Sequence, residues 1–140
     1  MKKKRILAID FGLKRTGIAV TDENNIIASG LTTVPTNDLM DFLMATVQDK
    51  NIGTIVLGEP KRLNMQDSHS SENVRLLRAA LEKQFPSIEV ESMDERFTSK
   101  MAVQSMVASG VTKKKRKQKE LIDEVSATII LQSYMQRTQF

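Results

Sequence analysis

Two short apolar runs lie close together near the start of the chain, Ile6-Leu7-Ala8-Ile9 and Thr16-Gly17-Ile18-Ala19-Val20, joined by a turn at Phe11-Gly12. Each is bounded by charged or turn residues and is too short for a helix, so the pair reads as a strand hairpin. The first run has no polar interruption, as expected of a strand buried on both faces. Asp10 sits where that strand leaves the core, and a carboxylate there is costly unless hydrated, hydrogen-bonded or neutralised. Gly12 suits a tight turn, and Lys14-Arg15 place two cations on the hairpin. Strand, terminal acid, glycine turn and basic tip together suggest a metal-and-phosphate site. On this stretch alone, an Asp that simply closes a β-turn is an equal reading.

The rest of the chain alternates. Ile26 to Val34 has strand composition and follows a turn at Asn24-Asn25. Pro35-Thr36-Asn37 breaks the pattern, and Leu39, Phe42, Leu43 and Val47 predict an amphipathic helix over 38–50. Thr54-Ile55-Val56-Leu57 is a further buried strand, ending at Gly58 and Pro60. A polar, aperiodic loop is expected from 60 to about 70. Val74, Leu77, Leu81 and Phe85 mark a helix that stops before Pro86. Ile88 to Met93 alternates as a strand and ends at Asp94-Glu95-Arg96. Thr98 or Ser99 can cap a helix carrying Ala102, Val103, Met106 and Val107, with Gly110 as its stop. A basic loop, Lys113 to Lys119, leads into a last helix over 120–137. Consecutive strands pair as an antiparallel meander, and strands separated by helices join as parallel crossovers. The expected fold is α/β: a five-stranded mixed sheet, three strands in a meander and two parallel, flanked by helices in one domain over residues 1–140.

Composition narrows the chemistry. The 140 residues are 40% hydrophobic and 27% charged, those of an ordinary globular domain. With no cysteine and only His69, a bound metal must rest mainly on carboxylates, which favours Mg²⁺ or Mn²⁺ over Zn²⁺. No signal-peptide core follows Lys2-Lys3-Lys4-Arg5 and no run approaches a membrane span, so a cytoplasmic protein without a membrane partner is expected. The net charge of +4 hints at a polyanionic partner. Its clustering at Lys113, Lys114, Lys115 and Arg116 says more, although a lysine run is also a common solvated loop.

Acids mark three strand ends: Asp10, Gly58-Glu59 and Asp94-Glu95. In α/β sheets, ligands gather at the carboxyl ends of the parallel strands. The last helix supplies a fourth position. Asp123, Ala127, Ile130 and Tyr134 share a face that is otherwise apolar, so Asp123 should point to the sheet. It could instead merely complement the helix dipole. Acids gathered at a sheet edge repel unless a cation lies among them. Paired divalent ions can activate water and stabilise the leaving oxygen of a phosphodiester. Asp10 is the natural bridging ligand, with Glu95 and Asp123 completing the set. Lys14, Arg15, Arg96 and the basic loop (Lys113, Lys114, Lys115, Arg116) are placed to hold a nucleic-acid backbone. One Tyr, five Phe and no Trp leave little for base stacking, so backbone and shape should dominate recognition.

Asp10-Phe11-Gly12-Leu13-Lys14-Arg15-Thr16-Gly17-Ile18-Ala19 resembles the opening signature of the YqgF/RuvX family, the Holliday-junction-resolvase-like proteins. Val56-Leu57-Gly58-Glu59-Pro60, Asp94-Glu95-Arg96-Phe97-Thr98-Ser99 and Asp123-Glu124-Val125-Ser126-Ala127 fall where that family's other blocks fall. The resemblance covers nearly the whole chain. It implies a ribonuclease-H-like fold, acidic site residues at Asp10, Glu95 and Asp123, and a bacterial cytoplasmic role in maturing the 5′ end of small-subunit ribosomal RNA precursor. The chain departs from the pattern at Gln66-Asp67, where Asp-Gly is usual, and at Glu59, usually apolar, which becomes a candidate fourth acid.

The leading expectation is a metal-dependent endonuclease on structured RNA. The alternatives are a resolvase of DNA junctions and an RNA-binding assembly factor with a weak site. No residue clearly reads a 2′-hydroxyl, so RNA and DNA are not separated by the residues themselves. The helices spend their apolar residues on single faces, which predicts a monomer.

Overall fold

The computed structural model describes residues 4–59, 69–94 and 119–138. In chain order these form β1 (Arg5–Asp10), β2 (Arg15–Thr21), β3 (Ala28–Pro35), a 3₁₀ turn (Thr36–Asp38), α1 (Leu39–Asp49), β4 (Ile52–Glu59), α2 (His69–Gln84), β5 (Glu89–Asp94) and α3 (Lys119–Thr138). The strands make one sheet in the order β3-β2-β1-β4-β5. β1 pairs antiparallel with β2 and β2 with β3, whereas β4 runs parallel to β1 and β5 parallel to β4. This is the mixed sheet expected from the order of elements. The helix expected after Thr98, most of the loop over 60–70, and Glu95, Arg96 and Lys113 to Arg116 lie outside the described residues.

Alternation along the strands divides the core in two. Leu7, Ile9, Ile18, Ile55 and Leu57 project to one face, where Leu39 and Leu43 of α1 and Val74 and Leu81 of α2 cover them. Ala8, Ala19 and Val56 project to the other, under Ala127, Ile130, Leu131, Tyr134 and Met135 of α3. The continuous apolar runs are thus strands covered on both sides. Side chains on the α3 face of β1 and β2 are small, so α3 lies close to the sheet.

Two boundaries and one side chain add to the sequence pattern, each for a local reason. Helix α2 starts at His69, a turn before the apolar spacing begins, because His69-Ser70-Ser71-Glu72 contains no apolar residue. Arg78 lies on the polar side of α2. It turns to edge strand β5, donating from Nη1 to Ser92 Oγ at 2.7 Å and from Nη2 to the Val90 carbonyl at 2.9 Å. Strand β3 begins at Ala28 rather than Ile26. Asp22 Oδ1 accepts from the Ile26 and Ile27 amides at 2.6 and 2.8 Å, which removes both from strand pairing.

That turn leaves Ile26 and Ile27 68% and 61% exposed. With Ala28, Gln132, Met135 and Gln136 they line an open groove of about 440 Å³. An apolar surface patch therefore exists where the sequence, with both residues placed in a strand, gave no reason to expect one.

The same turn carries a pH dependence. The amide of Ile27 foremost, with those of Ile26 and Asn24, holds the Asp22 carboxyl below its ordinary value of 3.8. A depressed carboxylate contributes stability that is present above the unfolded-state value and is lost as pH falls through the folded-state value. Thermal unfolding of wild type and Asp22→Ala should therefore show the larger gap near neutral pH, closing as pH drops below 3.8. A gap that does not change with pH would show that the carboxylate charge is irrelevant to the turn.

Candidate active site

Strand β1 ends on Asp10, which pairs with Gly17 of β2. In the parallel direction Ile9 pairs with Leu57, so Asp10 is level with Gly58, and Glu59 pairs with Asp94 at the end of β5. The acids at the three strand ends thus share one end of the sheet. Asp10 alternates with Ala8 and so projects to the α3 face, as Gly17 does with Ala19.

Gly17 is where α3 lands. A Cβ built there would overlap the Asp123 carbonyl and stand 3.0 Å from the Asp123 Cβ. Only glycine lets the first turns of α3 come this close. Gly17 is consequently the common neighbour of both acids, facing Asp10 across the strand pair and Asp123 across the helix–sheet interface. The i, i+4, i+7 spacing expected to turn Asp123 to the sheet is met: Ala127, Ile130 and Tyr134 on that face are all buried.

Arg15, read from sequence as a phosphate contact, turns to this acid. Its Nε donates to Asp123 Oδ2 at 3.4 Å, with the two side chains 32% and 25% exposed. A single partly exposed contact of this length is worth about 0–1 kcal/mol. Lys14 is exposed beside Leu13 at the tip of the turn. The turn itself is fixed from the 3₁₀ turn that follows β3. Thr36 Oγ1 donates to the Gly12 carbonyl at 2.6 Å, and Thr16 Oγ1 lies 2.9 Å from Thr36 Oγ1. The Thr36 amide bonds the Lys14 carbonyl at 3.0 Å. Thr16 is fully buried, so this hydroxyl pair is the internal brace of the loop that carries Lys14.

Glu124 stands apart from Asp10. Its Cβ is 3.4 Å from the position of a Cβ on Gly30, which puts it over β3, on the far side of β2 from β1. Burial foremost, and then the Asp123 charge, pushes its carboxyl above the usual range. Ser126, one turn along α3 from Asp123, is 1% exposed, and its Oγ has no hydrogen-bond partner among the described residues. Leaving such a hydroxyl unsatisfied costs about 1–3 kcal/mol. Sequence reasoning singled out neither Thr36, Gly17's role as the floor under α3, nor Ser126. The alternation of Gly17 and Ala19 with Ile18 and Val20 was the available signal for a closely approached face.

The donors assembled here are oxygens. Among the described residues no three of His, Asp and Glu gather in one group, and Asp10 and Asp123 are related through their common neighbour Gly17. The third expected acid, Glu95, and the cation Arg96 lie outside the described residues.

A family model described as "RuvX: Holliday junction resolvase" matches residues 4–137. A protein of Phocaeicola vulgatus named "Putative pre-16S rRNA nuclease" is 51% identical over 136 residues, 97% of this chain and 98% of that protein. One of the same name from Flavobacterium johnsoniae is 52% identical over 136 residues, 97% and 99% of the two chains. Among solved structures, Thermus thermophilus RuvC superposes with a TM-score of 0.58 at 13% identity, covering 96% of each chain. The same protein in complex with a Holliday junction substrate gives 0.58 at 14% identity, covering 97% of this chain and 96% of that one. The fold is therefore that of RuvC, the ribonuclease-H-like arrangement expected from the order of strands and helices. With one family model and full-length relatives at about half identity in agreement, the chain belongs to the RuvX family.

Proposed function

We propose that this protein is a metal-dependent endonuclease that matures the 5′ end of the small-subunit ribosomal RNA precursor in the cytoplasm. The observation that supports the reading is that Gly17 neighbours both Asp10, across the strand pair, and Asp123, across the helix–sheet interface, at the carboxyl ends of the parallel strands. The names of the full-length relatives favour RNA as substrate. Among the described residues no helix is long and apolar enough to cross a membrane.

The donor set suits a hard divalent ion. Carboxylate oxygens dominate, cysteine is absent, and among the described residues the buried Ser126 hydroxyl, one turn along α3 from Asp123, is without a partner. Asp10, Asp123 and Glu95 would hold Mg²⁺ or Mn²⁺, which would supply activated water and stabilisation of the leaving oxygen. The protein's own residues do the rest. Lys14 and Arg15 at the turn, with Arg96 and the basic run, hold backbone phosphates without reading bases. The Thr16–Thr36 brace keeps the turn in place.

Purified protein assayed with Mg²⁺ or Mn²⁺ on precursor ribosomal RNA and on four-way DNA junctions tests the reading. Cleavage of the RNA is expected. Cleavage of junctions alone would move the activity to the family's other named substrate, and cleavage of neither would leave an assembly factor. Neutralising Lys113, Lys114, Lys115 and Arg116 together should weaken binding with little sequence preference. Each lost phosphate contact should flatten the slope of log affinity against log salt by roughly 0.7–0.9. An unchanged slope would make the run a solvated loop.

A further inference from the structure

Arg15 opens β2, and its backbone is fixed by pairing with Pro35. Its contact with Asp123 is single and long, made through Nε at 3.4 Å, not the two-pronged arrangement in which guanidinium and carboxylate bind most strongly. The two terminal amino groups have no hydrogen-bond partner among the described residues, and a third of the side chain is exposed. Asp123 thus has a resident cation that is charged at every working pH yet loosely held. A divalent ion at the same carboxylate repels that guanidinium and outbids its weak contact.

We propose that Arg15 is a displaceable counter-ion: it neutralises Asp123 while no metal is bound, and metal arriving at Asp123 frees its guanidinium for a backbone phosphate of the nucleic acid. The inference rests on the nuclease reading and gives that reading an order, with metal first and tight nucleic-acid binding second. Rotation about the side-chain bonds is sufficient, since the Arg15 backbone stays in the sheet. Linkage makes the effect reciprocal: nucleic acid that engages Arg15 strengthens metal binding by the same factor. Arg15 thus answers to Asp123 in one state and touches the nucleic acid in the other. Its planar fork matches a phosphate once released.

Calorimetric titration of Mn²⁺ into wild type and Arg15→Gln, without nucleic acid, tests the first half. The variant should bind about fivefold more tightly, the competition that a partly exposed ion pair supplies. Fluorescence anisotropy of a single-stranded RNA oligonucleotide, with Ca²⁺ and with chelator, tests the second. Wild type should gain affinity with Ca²⁺, and Arg15→Gln should lose most of that gain. Arg15→Lys, which keeps the charge without the fork, should restore the weaker Mn²⁺ affinity and only part of the gain. A guanidinium that stayed on Asp123 would also weaken Mn²⁺ binding through its charge, but it would give no Ca²⁺-dependent gain in RNA affinity for Arg15→Gln to lose. Equal, measurable Mn²⁺ affinity in wild type and Arg15→Gln overturns the counter-ion role and leaves the nuclease reading standing. Absence of Mn²⁺ binding to both proteins overturns the two together.

Discussion

Asp10→Asn is expected to abolish cleavage while leaving the fold and the affinity for nucleic acid nearly unchanged. Asn preserves the shape of the side chain at the end of β1, so the Asp10–Gly17 pairing and the packing beneath it survive. What is lost is a fixed charge, and with it the carboxylate that, on the proposed reading, would hold a divalent ion. Removing one preorganised electrostatic contact from a catalytic site typically costs about 10²–10³ in rate. If Asp10 would hold the metal, its loss should cost at least as much. Side-by-side rates, melting temperatures and binding isotherms check the expectation. Cleavage near the wild-type rate would end the assignment of Asp10 to the metal, and a lowered melting temperature would mean that the site and the fold had not been separated.

The second large effect is expected from Gly17→Ala, a change of one methyl group. The added Cβ would meet the Asp123 backbone carbonyl, which cannot rotate away as a side chain can. Either β2 bends or the start of α3 lifts, and overpacking of this kind costs about 1–3 kcal/mol. The catalytic penalty should be larger than the stability penalty, because a displacement near 1 Å at a reacting centre can cost about 10²-fold in rate. Gly30→Ala is the matched control. Its Cβ would meet Glu124 Cβ and Thr128 Oγ1 at 3.4 Å, close to ordinary contact, so it should leave activity almost untouched. If both variants retain full activity, close approach of α3 at Gly17 does not govern the position of Asp123.

These residues also show how far the sequence could be read. The order of apolar runs, with a glycine turn between the first two and helical spacing between the later ones, carried the sheet and its mixed pairing. The inward face of α3 was legible too, because one acid among Ala127, Ile130 and Tyr134 has only one direction that suits its neighbours. Arg15 was not legible. A cation beside a turn looks like a solvent or phosphate contact until a helix 108 residues later comes to rest on Gly17. Ile26 and Ile27 misled for the opposite reason. Their composition favours a strand, but the Asp22 carboxylate claims both amides first. Propensity gave way to a side-chain acceptor in the one case, and local chemistry gave way to tertiary contact in the other.

The small-residue face beneath α3 also has a consequence in time. Asp10 belongs to the first strand made and Asp123 to the last helix, with 108 residues separating Arg15 from Asp123. At roughly 5–20 residues per second, about 5–20 s of synthesis separates the two halves of the site. Throughout that interval Ala8, Ala19 and Val56 have no cover from α3, and a growing chain cannot place both acids on one ion. A site that needs both acids is therefore completed only once α3 has been made and has closed over the sheet at Gly17.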